Sequence, residues 1–150
     1  LGMRAAIRLA QRAGRLGEVP VGAVLVLDER VRGSAHNEAM LRSDPTAHAE
    51  HLAIQRALVA TASDRLPGST LYVTLEPCAH CAGAIILAKV DRVVFGAWDP
   101  KAGMAGSVHD LLRHSRLNHR PEVIGGVLEE ECGAVLRDFF AARRLEDSAE

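Results

Sequence analysis

A chain of 150 residues, 48% hydrophobic and 25% charged, can bury roughly 68–70% of the surface it exposes when unfolded, so its composition excludes a disordered, fibrous or disulfide-stapled protein. A net charge of -1 gives no bulk attraction to nucleic acid, and any polyanion must meet a local patch. No segment approaches the ~18 apolar residues of a membrane span, and Arg4, Arg8 and Arg12 interrupt the first segment where a secretory leader needs an apolar run. A cytoplasmic protein is the expectation.

Met3, Ile7, Ala10, Ala13 and Leu16 recur at helical spacing, and Gly14 and Gly17 mark the end of that first helix. VGAVLVL (21–27) predicts a buried strand, and VRGSAHN (31–37) its hairpin partner, with Asn37 at a strand end. Residues 38–45 read as a loop and 46 to about 60 as a helix, with Asp44 or Thr46 as cap and Pro45 near its start. STLYVTL (69–75), a helix over 81–90 and RVVFGA (92–97) form a strand, helix, strand unit with the spacing of a parallel crossover. A Gly-rich loop follows Trp98, then a short helix near 108–113 and a weak strand from Glu122. An amphipathic helix over 127–145 and a fraying tail, EDSAE, complete the chain. The pattern predicts an α/β protein: a three-layer α/β/α sandwich on a mixed sheet of about five strands, in one domain spanning 1–150.

Cys78 and Cys81, at i and i+3, open a predicted helix, where both sulfurs share one side and the helix N-terminus favours thiolates. In a reducing compartment such a pair reads as metal-binding. Cys132 is remote in sequence and reads as a buried thiol. The remaining ligands must be histidines, and His48 is best placed, at the start of the other helix. His48, Cys78 and Cys81 leave a fourth position open, the arrangement of a catalytic zinc, with Glu50 as proton carrier. His51, at i+3 from His48, keeps a closed Cys2His2 site open as the alternative. His80, between the cysteines, should face solvent.

The set HAE (48–50) with PCAHC (77–81) resembles the zinc nucleoside deaminase superfamily. EVPVGAVLV (18–26), Asn37, DPTAHAE (44–50), TLYVTLEPC (70–78), CAGAI (81–85), RVVFGAWDPKAG (92–103) and LRDFFAARR (136–144) narrow the resemblance to its bacterial tRNA-specific adenosine deaminases. The resemblance implies a cytidine-deaminase-like fold and one Zn2+ per subunit, held by His48, Cys78 and Cys81, with Glu50 as the proton shuttle. It implies hydrolytic deamination of adenosine to inosine at wobble position 34 of tRNA, mainly arginine tRNA with anticodon ACG, by zinc-activated water attacking C6. Asn37 is then a base contact. Val19, Pro20, Leu75 and Asp99 surround the flipped nucleotide and its neighbours, and Lys101, Phe139, Phe140, Arg143 and Arg144 form the RNA-facing edge. The partners implied are the tRNA anticodon loop and a second copy in a homodimer, with no membrane and no DNA as natural substrate.

Two further readings stand beside this one. A deaminase of the same superfamily could act on free guanine, cytosine or dCMP, and a structural-zinc module, closed by His51, could bind RNA without turnover. Between residues 101 and 120, Lys101, Arg113, Arg116 and Arg120 oppose only Asp110, a local basic patch. Arg113, Arg116 and Arg143 are candidates for phosphate contact.

Overall fold

The computed structural model of the chain describes residues 2–149. Helix α1 (Gly2–Arg15) leads into strands β1 (Gly22–Leu27) and β2 (Arg30–His36); α2 (Ala49–Thr61), β3 (Thr70–Leu75), α3 (Ala79–Leu87) and β4 (Arg92–Ala97) follow. A single 3-10 turn (Leu111–Arg113), β5 (Glu122–Ile124) and the long α4 (Glu129–Ala149) end the order. The five strands form one mixed sheet, β2-β1-β3-β4-β5. β1 pairs antiparallel with β2 and β3, whereas β3, β4 and β5 run parallel.

Helices cover both faces, as the unbroken apolar strands require. On β1, Leu25 points to the core beneath α2 and α3, while Val24 points to the one beneath α1 and α4. On β4, Phe95 and Val94 divide in the same way. Two glycines permit the closest approaches. A Cβ on Gly22 would lie 2.0 Å from the Ala6 carbonyl of α1, and one on Gly33 would lie 2.1 Å from the Ala53 carbonyl of α2. These contacts press the helices onto opposite sides of the β1–β2 hairpin.

Several boundaries differ from the sequence reading. α2 begins at Ala49 and not 46, because Asp44 closes a tight turn by accepting the Thr46 amide at 2.9 Å. α3 stops at Leu87, short of 90, where Lys89 takes a positive φ of 60°. The short helix near 108–113 contracts to the 3-10 turn. Leu16 lies beyond α1 and is exposed. α4 starts at Glu129 and continues through the tail to Ala149, which contains no Gly or Pro to stop it; Glu150 lies outside the described residues.

Candidate metal centre and active site

The site forms where α2 and α3 begin, at the ends of β3 and β4 where a parallel sheet presents its loops. His48 is the N-cap residue of α2 and Cys78 that of α3, both with extended backbone. Neither side chain caps its own helix. Both turn instead toward a common point with Cys81, in the first turn of α3.

His48 Nδ1 lies 3.5 Å from Cys78 Sγ and 3.5 Å from Cys81 Sγ. A tetrahedral ion with bonds of about 2.05 Å to nitrogen and about 2.3 Å to sulfur separates those two atoms by about 3.6 Å. The donor set therefore fits zinc in both spacing and chemistry. Hydrogen bonding from Cys81, and then from His48, lowers the Cys78 thiol to about 3. The bond with Cys78, together with burial, holds Cys81 protonated. A divalent cation displaces such a proton.

His51 does not join this group. Its ring stacks on His80 at 4.7 Å with 13° between the planes, and its buried Nδ1 has no hydrogen-bond partner. Among the described residues, the groups able to hold a metal reduce to His48, Cys78 and Cys81. The geometry thus disfavours the closed Cys2His2 site. His80 is exposed, in agreement with the sequence reading.

Glu50 follows two residues after His48 and is only 4% exposed. Burial pushes its carboxyl up to about 7. It lines a cavity of about 380 Å³ together with His48, Cys78, Asn37, Val19, Leu75 and Asp99, within the roughly 300–1,000 Å³ usual for small-ligand sites. Asn37 is fixed there: its Nδ2 donates to the Val19 carbonyl at 3.3 Å, and its Oδ1 accepts the Ala39 amide at 3.2 Å. One amide hydrogen and one lone pair remain for a ligand.

Other sequence candidates lie elsewhere. Pro20 is buried and turns toward α1, 3.5 Å from where a Gly14 Cβ would sit. Lys101 is exposed outside the cavity lining. Phe139, Phe140, Arg143 and Arg144 sit on α4, also outside the lining. Arg143 is engaged within the protein, donating to the Gly17 carbonyl at 2.7 Å with its guanidinium 5.0 Å from the Phe139 ring centroid. Arg113 is likewise occupied by Asp110 at 2.8 Å and by the carbonyls of Ala105 and Val123.

Two buried carboxylates escaped the sequence reading. Glu76 accepts the amides of Asp99, Ala105 and Ser107 at 2.9, 2.9 and 3.0 Å, as well as the Ser107 hydroxyl. Burial alone would raise its carboxyl, but the bonds from Ser107, Asp99 and Ala105 outweigh that and hold it below its ordinary value. Glu18 accepts the amides of Met40 and Leu41 at 3.0 and 2.8 Å. Each fixes a loop on one side of the cavity. The available signal was weak: Glu76 directly follows an apolar strand, and Glu18 lies four residues ahead of another.

Comparison with known proteins places this geometry. Residues 2–144 match the MafB19-like deaminase family. The chain is 50% identical over 147 residues to the tRNA-specific adenosine deaminase of Bacillus subtilis (strain 168), covering 98% of this chain and 91% of that one. It is 49% identical over 149 residues to the tRNA-specific adenosine deaminase of Haemophilus influenzae, covering 99% and 86%. A solved structure from work on A-to-I editing by tRNA:A34 deaminases at the wobble position of transfer RNA superposes with a TM-score of 0.87 at 44% identity, over 90% of this chain and 98% of that one. At about half its residues identical to these relatives over nearly its whole length, the chain belongs to the tRNA-specific adenosine deaminases.

Proposed function

We propose that this chain is a single zinc-dependent deaminase domain that converts adenosine to inosine at position 34 of a tRNA anticodon. One observation carries the reading: the buried Glu50 carboxyl shares a cavity with a three-member, zinc-sized ligand set that leaves a fourth position free. His48, Cys78 and Cys81 would hold the ion. When bound, zinc lowers the pKa of water to about 7 and so supplies a nucleophile at neutral pH.

The protein's own side chains do the rest. Glu50 takes a proton from water, delivers it to N1 of the adenine, and later assists the departure of ammonia from C6. Its burial suits both tasks, since a carboxyl displaced toward neutrality accepts and returns a proton with little loss. Asn37, already held by two backbone bonds, offers its remaining donor and acceptor to the base edge. Val19 and Leu75 supply aliphatic walls, and Asp99 borders the mouth. A cavity of this size admits one extruded nucleotide, which favours a splayed anticodon loop over a duplex.

On this reading the enzyme works as a homodimer in the cytoplasm. The exposed apolar Val59 and Leu87 support the dimer; among the described residues no helix is long and apolar enough to cross a membrane. The RNA-facing roles of Lys101, Phe139, Phe140 and Arg144 belong to the same proposal, with the partner subunit bordering each site.

The test is incubation with an arginine-tRNA anticodon stem-loop carrying adenosine at position 34, with free adenosine, guanine and cytidine in parallel, read by product mass. Inosine in the stem-loop alone is the expected result. Turnover of a free base alone, or no turnover with zinc bound, overturns it.

A further inference from the structure

Helix α1 reads GMRAAIRLAQRAGR: four arginines and no acidic residue. The first, Arg4, is neutralised by Glu131 at 3.1 Å. Arg8, Arg12 and Arg15 are exposed and make no ion pair among the described residues, although seven arginines elsewhere or at the helix start reach a carboxylate. Basic residues in a last turn complement the helix dipole, which accounts for Arg12 and Arg15 but not for Arg8 in mid-helix.

The three share one surface groove of about 320 Å³, walled by Leu9 of α1 and by Val31 and Ser34 of the edge strand β2. Arg8 to Arg15 is seven residues, about 10.5 Å along the helix. That matches about three nucleotides of a strand rising ~3.4 Å each. Arg15 lies at the end of α1 from which the chain passes, in four residues, to Val19 on the cavity wall. Arg15 is thus the member nearest in the chain to the cavity wall, and Arg8 lies about two helical turns behind it. The neutralised Arg4 is at the far end of the helix.

We infer that Arg8, Arg12 and Arg15 form a track for the RNA backbone, gripping phosphates of the substrate strand outside the nucleotides that enter the cavity. The inference rests on the RNA reading above and adds the surface that would give a chain of net charge -1 its hold on a polyanion. Recognition here is of phosphates and not of bases, so it supplies affinity without sequence preference.

The experiment measures binding of a fluorescent anticodon stem-loop to the zinc-loaded protein across a salt series, for the wild type, the triple variant Arg8→Gln/Arg12→Gln/Arg15→Gln and the triple Arg→Lys variant. Expected for the Gln triple is affinity weakened about tenfold or more near physiological salt, with the slope of log K against log salt flattened by about 2 to 3. The Lys triple keeps the slope, and a trinucleotide centred on the target adenosine loses little affinity. Should the Gln triple not fold, single variants are each to flatten the slope by about 0.7 to 0.9. An unchanged slope overturns the track, as does a thermal midpoint that falls while the slope stays put. Inosine formation by the wild type is scored separately. If the wild type makes no inosine, the deaminase reading fails, while the salt slopes still decide the track.

Discussion

The Glu76 carboxylate, at the end of β3, accepts the backbone amide of Asp99 at 2.9 Å. Asp99 follows β4, the neighbouring parallel strand, so this bond ties the mouths of two adjacent strands across the cavity rim. Three more donors, from Ala105 and Ser107, converge on the same carboxylate. The loop from Asp99 to Ser107 is thereby wound around one buried charge.

Replacing Glu76 by Gln puts an NH2 group against amides that themselves donate. The expected cost is about 2–4 kcal/mol in urea or guanidinium unfolding, since bonds to a charged acceptor contribute about 1.5–3 kcal/mol each and strand their donors when lost. Gly103→Ala should do comparable damage, because its Cβ would sit 2.2 Å from Glu76 Cδ. Both variants are to retain one zinc per chain. Wild-type stability in Glu76→Gln would remove the carboxylate from this role.

Glu50→Gln removes the carboxyl proposed as the proton carrier while keeping volume and burial. Inosine formation should fall by about 10²–10⁴-fold, with zinc content and thermal midpoint near those of the wild type. Turnover within tenfold of the wild type would assign the proton transfer elsewhere.

Metal analysis separates ligands from neighbours. Cys78→Ser and Cys81→Ser should bind zinc far more weakly, whereas His51→Ala and Cys132→Ala keep a full equivalent. Cys132 is packed beneath β4, where a Cβ on Gly96 would lie 2.3 Å from its sulfur, so its truncation costs stability of about 1 kcal/mol and no metal. Zinc loss in His51→Ala would restore the closed four-ligand site.

Arg143 pins the second half of α4 to the turn after α1 through Gly17. Arg143→Ala should accelerate amide exchange in the last two turns of α4 and lower stability by about 1 kcal/mol. If exchange there is unchanged while RNA binding weakens, the side chain serves the RNA and not the helix.

Much of this protein was readable from its sequence, for stated physical reasons. Runs such as VGAVLVL and RVVFGA are too apolar for a half-exposed sheet, so they require helices on both faces, which α2 and α3 supply on one side and α1 and α4 on the other. Cys78, Cys81 and His48 are donors whose chemistry and proximity to helix starts announce a metal. The boundaries were harder, because turns such as Asp44–Thr46 and the positive φ at Lys89 are settled by local hydrogen bonds that periodicity does not register.

The tertiary structure alone decided the rest. By spacing His51 could join His48 as a ligand, and only the placement of α2 against α3 sends His48 to the cysteines and stacks His51 on His80. Glu18 and Glu76 look like ordinary surface acids until the fold buries them among amides from distant loops. Arginines, too, are alike in sequence. Which of them are spent on carboxylates and carbonyls, and which stay free along α1, depends on what the folded chain brings within reach, because a charge's role is set by its neighbours in space.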